Sequence, residues 1–347
     1  MRFRDTELWK LLSDSQLFAV KLSNGEMVYC SVMGESEEYY SVGMYKGAEA
    51  LSSFFNTLRM SEMSEIDMLS AKMLFNHINC TFENASTLDF PEYKAEVQAY
   101  AKANGLKLRR SHGYPDFVCF RPFRMEGPIS APEEQAWVTE TLEAATALAL
   151  RVKKEGVKAF GFSESGNYPS EHGGENVPMV ERQADGSFLV SQVALPAFSA
   201  LSYPVVPFDN EFSTRKFKGI EKHPYFTLQC KALPFPVAEL VEEQRLGILL
   251  IFASENEDDI LFPPFFGKRF PDSSSDLLTE FGEYMIEVAG CFPGCIEVCD
   301  ELTAGIMKDF CQKCGIKLRV LADKKMMESI WKQICMYMMG TDFDPSL

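Results

Sequence analysis

The sequence predicts an α+β protein: an N-terminal β-meander with packed helices, plus a C-terminal α/β domain with a mixed sheet. Three observations carry this. Asn24-Gly25 stands between two apolar runs near the start, which is the strongest short-range signal for a hairpin. The last hundred residues alternate strand-like and helix-like segments with clear caps. The chain has 347 residues, long enough for two domains at roughly 100–200 residues each. The expected organisation is an N-terminal α+β domain over 1–160, a strand-rich connecting region over 161–237 and an α/β domain over 238–347.

The hairpin runs from Leu17–Leu22 through the turn to Met27–Met33, and a third strand follows at Tyr39–Tyr45. Residues 47–58 then place Leu51, Phe54, Phe55 and Leu58 on one helical face. A short strand is expected at His77–Phe82. A helix is expected at Pro91–Asn104, with Val97, Tyr100 and Ala101 on one face, and another strand at Phe117–Phe120. Ser130-Ala131-Pro132-Glu133 reads as a capping box, opening a helix to about Lys154 with Val138, Leu142, Ala145, Ala149 and Val152 as its buried stripe. Residues 163–176 are polar and rich in Gly and Ser, as in a loop.

Asp185-Gly186 predicts a second hairpin between Val177–Gln183 and Phe188–Leu195. A strand-like run follows at Tyr225–Leu233. The prolines between 196 and 236 point to edge strands and loops, because proline cannot donate to a ladder. Further on, strands are expected at 246–253, 259–262, 296–299 and 316–321, and helices at 274–289, 301–314 and 324–339. Asp300 and Gly315 are the natural caps of the 301–314 helix, and Leu302, Ile306, Phe310 and Cys314 are its stripe.

Composition narrows the function classes. Lys and Arg number 34 against 50 Asp and Glu, a net charge of −16 that opposes nucleic acid except through a local basic patch. The longest apolar run, Leu246–Ala253, has eight residues, whereas a membrane-spanning helix needs about 20. The first residues lack the apolar core of a secretory signal, so a cytoplasmic location is expected. Ten cysteines are too few for a disulfide scaffold and read as small buried hydrophobes in a reducing compartment.

Several clusters invite chemistry. Cys291, Cys295, Cys299, Cys311 and Cys314 have a spacing that zinc could use, but Cys299 ends a strand and Cys314 lies on a core face, which favours packing. Cys311-x-x-Cys314 falls at the C-terminal end of its helix, where the dipole disfavours thiolate and hence redox activity. The acidic stretch Glu255, Glu257, Asp258 and Asp259 reads as a polar turn between strands. Around His112 and Tyr114, the basic residues Arg109, Arg110, Arg121 and Arg124, with Asp116, form a candidate anion-binding surface; local acids would equally balance it. No nucleophile elbow, phosphate loop or dinucleotide fingerprint appears, and no cofactor or metal is called for.

Val32-Met33-Gly34, Glu38 and Tyr45-Lys46-Gly47-Ala48-Glu49-Ala50-Leu51 resemble a pattern of uncharacterised bacterial proteins catalogued only as domains of unknown function. The pattern runs VMG-x-x-GE and, after six further residues, Y-x-G-x-E-G-L. The chain departs from it at Glu37 and Ala50, both glycine in the pattern. Gly113-Tyr114-Pro115-Asp116-Phe117 is similar to a second stretch of the same family. Residues Pro293–Val298, Leu302 and Gly315–Leu318 look like a companion C-terminal family. The resemblance covers about two thirds of the chain. It implies Glu38 and Tyr45 as site residues and supplies no reaction. Some such relatives stand beside plasmid- or transposon-associated domains.

Two functions are therefore expected. One is a ligand- or partner-binding or adaptor protein, whose partner is a protein or small molecule. The alternative is a metal-dependent hydrolase or nucleic-acid-processing protein linked to mobile elements.

Overall fold

The structure is a computed structural model and describes residues 2–37, 39–59, 65–88, 93–109, 111–168, 170, 172–198, 202–236, 246–254, 265–267, 269–322, 325 and 329. The expected strand 259–262, the acidic turn before it and most of the helix expected at 324–339 lie outside these residues, as do Glu38 and Arg110. In chain order the elements are α1 (Arg2–Thr6), β1 (Leu17–Lys21), β2 (Met27–Met33), β3 (Ser41–Lys46), α2 (Gly47–Arg59), α3 (Glu65–Lys72), β4 (His77–Glu83), α4 (Tyr93–Ala103), β5 (Tyr114–Phe120), α5 (Pro132–Glu155), β6 (Asn176–Arg182), β7 (Phe188–Ala194), α6 (Glu211–Lys218), β8 (Lys222–Pro236), β9 (Leu246–Ser254), β10 (Phe265–Gly267), α7 (Ser274–Ala289), β11 (Phe292–Val298), α8 (Glu301–Cys314) and β12 (Lys317–Val320). The chain is α+β, with two mixed sheets in two compact units.

The first unit comprises residues 1–61, 75–122 and 126–201. Its seven-stranded sheet has the order β5-β4-β3-β2-β1-β6-β7. Strands β1 to β3 form the expected antiparallel meander, β4 and β5 extend it, β6 joins β1 in parallel, and β7 closes the expected hairpin onto β6. Val28, Cys30, Val32, Val42, Met44, Ile78, Cys80 and Phe82 face a core shared with Val138, Ala145, Leu148, Ala149 and Val152 of α5. On the opposite face Tyr29 and Tyr45 pack with Ala50, Leu51, Phe54 and Phe55 of α2. Gly34 is obligatory: its φ is 146°, and a Cβ there would stand 2.9 Å from both Trp9 Cβ and Tyr40 Cδ1.

Two local expectations are corrected. Helix α5 is capped by Ala131 without a side-chain hydrogen bond, so Ser130 forms no capping box; Pro132 takes the first helical position, where its missing N–H costs nothing. On α4 only Ala101 is fully buried and Tyr100 is exposed, so its buried stripe is narrower than the periodicity suggests.

The second unit comprises residues 62–74, 123–125 and 202–347. Its five-stranded sheet has the order β10-β9-β8-β11-β12, with β8, β11 and β12 parallel to one another and β9 antiparallel to both its neighbours, β8 and β10. The stretch 161–237 is therefore shared out: β6 and β7 belong to the first sheet, and β8 to the second. Helix α8 begins at Asp300, whose carboxylate accepts the Thr303 N–H, and ends at Gly315 in the left-handed conformation, as its caps predict. Leu302, Ile306, Phe310 and Cys314 all enter the core, where Phe252 stacks on Phe281 with ring centroids 4.1 Å apart.

The proline-rich β8 is central, contrary to the edge position its composition suggests. Each proline sits where β8 is unpaired with β11. Pro224 lies in the register shift opposite Pro293–Cys295, and Pro234 and Pro236 lie beyond the last residue paired with β11. Among the described residues no helix is long and apolar enough to cross a membrane.

Candidate functional site

Alternation along β2 to β5 sends one set of side chains toward α5 and the other toward α2. The strand register aligns the second set in rows across the sheet. Tyr29 pairs with Tyr45, and His77 pairs with Phe120 in the neighbouring positions. Ser31, Gly43, Asn79 and Val118 form the next row. Met33, Ser41, Thr81 and Asp116 form the third. One aromatic row thus borders two rows rich in polar groups.

These polar groups lie inside the protein. Ser41 is 0 % exposed, Thr81 and Asp116 1 %, and His77 7 %. Ser41 Oγ, Thr81 Oγ1, Asn79 Oδ1 and His77 Nδ1 are shut off from solvent, and none has a hydrogen-bond partner among the described residues. A buried polar atom left unpaired costs about 1–3 kcal/mol, and folded proteins hold few of them. Four of them lie on one patch of one sheet. Asn79 as a residue is only partly buried although β3 and β5 flank its strand, while its Oδ1 is closed off from solvent. Helix α2 packs on β3 and β4, and α4 on β5.

Burial sets the protonation states. It pushes the His77 pKa down to about 3, so the ring is neutral, and its face stacks on Phe120 at 4.4 Å. It pushes the Tyr45 hydroxyl up to about 12, against an opposing pull from the Ser31 hydroxyl beside it. A Cβ on Gly43 would stand 2.7 Å from the Tyr45 oxygen and 3.0 Å from Ser31 Oγ, so glycine leaves these two hydroxyls their place in the layer. Beside the buried carboxyl of Asp116, the patch offers donors and acceptors from the side chains of Ser41, Asn79, Thr81, a neutral His77 and a protonated Tyr45.

Of the residues singled out in the sequence, Tyr45 and Asp116 fall on this face. Tyr114 lies on the same strand, buried, and its hydroxyl accepts the Gln98 Nε2–H of α4 at 2.9 Å. The basic residues already face carboxylates. Arg109 stands 3.4 Å from Asp5 and 3.5 Å from Glu7, and Arg121 donates from Nη2 to both Glu134 carboxylate oxygens at 2.7 and 2.9 Å. His112 has Nδ1 3.0 Å from the Phe82 carbonyl and its ring edge-on to Tyr40. Arg124 is exposed and belongs to the second unit. Ser41, His77, Asn79 and Thr81 were not singled out. Their signal was the polar alternation His77, Asn79, Thr81 against Ile78, Cys80, Phe82.

In the second unit Cys295, Cys299, Cys311 and Cys314 are buried. Desolvation raises the Cys311 thiol pKa, and pushes that of Cys314 up to about 11, so both remain thiols at neutral pH. Among the described residues no three His, Cys, Asp or Glu side chains are placed to hold a metal ion.

Fold and site together define a two-unit α+β protein with an enclosed polar layer on its first sheet. Residues 1–168 match the model of a domain of unknown function, DUF7309, and residues 213–335 match that of a second domain of unknown function, DUF6930. The resemblance read from Gly34 to Leu51 and from Pro293 to Leu318 is thereby borne out. No curated protein and no solved structure matches the chain.

Proposed function

We propose that the protein binds a small uncharged molecule rich in hydroxyl or amide groups, held over Asn79 on the α2-facing side of the first sheet. The observation that supports this reading is the cluster of four unpaired buried atoms on Ser41, His77, Asn79 and Thr81. At about 1–3 kcal/mol each, their cost is large beside a total stability of about 5–15 kcal/mol. A ligand that supplies the missing partners offsets this cost. A neutral His77 and a protonated Tyr45 select against a ligand that needs a strong counter-charge from them. This reading develops the binding role expected from the sequence. A reducing, cytoplasmic setting fits the nine described cysteines, all free thiols and eight of them buried.

The test is a thermal-shift panel of polyols, nucleosides and small amides, run on the wild type and on Thr81→Val. Valine keeps the shape of threonine and removes the hydroxyl. At least one compound is expected to raise the wild-type melting temperature by several degrees and to lose that effect in the variant. A panel that moves neither protein, or moves both equally, contradicts the reading.

A further inference from the structure

Helix α8 carries a carboxylate, Glu301, and an ammonium, Lys308, seven residues apart. Seven residues bring two side chains to within about 20° of each other and space them about 10 Å along the helix axis. Both residues are exposed, and neither side chain makes an ion pair or hydrogen bond among the described residues.

The two line one groove of about 520 Å³, a size usual for a small-molecule site. They are its only charged lining residues among those described, one of each sign. Along α8, the lining between them is Ala304 and Gly305, neither of which can fill the space. Tyr203 lines the groove from a segment that approaches the helix closely because residue 305 is glycine. A Cβ there would stand 2.7 Å from the Pro204 carbonyl oxygen, and Val206 donates its N–H to the Gly305 carbonyl at 3.0 Å. Leu318 and Val320, two residues apart and so on one face of β12, add further apolar lining.

Opposite charges bracketing an apolar stretch discriminate among occupants. A uniformly acidic or basic partner would meet one of the two charges unfavourably, and an uncharged one would leave both unmatched. The complement is a molecule with an ammonium at one end, a carboxylate at the other and an apolar body about 10 Å long between them. Three extended residues span about 10 Å, so an apolar tripeptide with free termini has this form. We infer that the groove binds such a peptide, its amino terminus at Glu301, its carboxylate at Lys308 and its side chains against Tyr203, Leu318 and Val320. The groove lies within the second unit, so this inference does not depend on the polar patch of the first.

The experiment is isothermal titration calorimetry of trileucine into the full-length protein. N-acetylated and C-amidated trileucine each lack one terminal charge, and ω-aminooctanoate keeps both charges without peptide groups. Trileucine is expected to bind saturably, and either blocked form to bind about tenfold more weakly. Glu301→Gln should weaken the free peptide to the same extent and leave the acetylated one unaffected; Lys308→Gln should do the same toward the amidated form. This pairing of variant with terminus separates direct contact from a general loss of fold. No saturable heat with trileucine, indifference to both blocking groups, or equal losses for free and blocked peptides would overturn the inference. Binding of ω-aminooctanoate as tight as that of trileucine would overturn the assignment to a peptide.

Discussion

Single residues record where the sequence accepts strain or desolvation. Glu37, which stands where the family pattern has glycine, has φ 64°, a left-handed conformation that costs an L-residue roughly 1–2 kcal/mol. Glu37→Gly should therefore raise stability by about 0.5–1 kcal/mol, part of the gain being lost to glycine's freer unfolded chain, and a shift of the urea midpoint measures it. His77 gives a pH signature. Its folded pKa of about 3 lies below its ordinary value near 6.5, so protons bind the unfolded chain more readily between these values. The stability contributed by neutral His77 is complete above pH 6.5 and is lost as the pH falls toward 3. Between pH 6 and pH 5 the loss should be about 1 kcal/mol, and His77→Gln should flatten the profile in that window. A profile unchanged by this substitution would contradict the buried, neutral ring.

At the scale of elements, the legible features were those whose physics is local. Helix α8 could be read to the residue because an N-cap Asp300, a 3.6-residue apolar stripe and a C-terminal Gly315 all agree. The Asn24-Gly25 and Asp185-Gly186 hairpins were equally legible, since a tight turn has few sequence solutions. Strand β8 was misjudged because proline forbids a hydrogen bond only where a partner sits, and the partner's extent is a tertiary fact. The polar layer was hidden for the same kind of reason: alternation of His77, Asn79 and Thr81 with apolar residues reads as a solvent-facing side until α2 is known to cover it. Strand β8 and helix α8 are also clamped by a buried ion pair. Lys231 Nζ lies 2.8 Å from Asp300 Oδ2, which accepts the Thr303 hydroxyl at 2.6 Å, while Thr303 Oγ1 accepts the Ala232 N–H. Asp300→Ala leaves a buried ammonium without its counter-charge and should cost about 3–5 kcal/mol in urea unfolding. Lys231→Met combined with Asp300→Asn, which retains a capping oxygen, should recover most of that loss.

At the scale of the whole molecule, each sheet is assembled from distant parts of the chain. The second unit takes Met73 into its core and packs Phe123 against it, and its central strand β8 precedes residue 238, the boundary expected from the sequence. A fragment of residues 238–347 should therefore show no cooperative thermal transition by circular dichroism. In the first unit Ser41, His77, Asn79 and Thr81 each carry a buried polar atom without a partner among the described residues, and the functional reading stands on them. The most direct measurement is the unfolding free energy of ligand-free Ser41→Ala and Thr81→Val, from urea denaturation followed by tryptophan fluorescence. If these hydroxyls await a ligand, removing each should raise stability by about 1 kcal/mol, because an unpaired buried group disappears while the fold stays intact. If both variants lose stability by that amount or more, the hydroxyls already serve the fold, and the proposed binding site is contradicted.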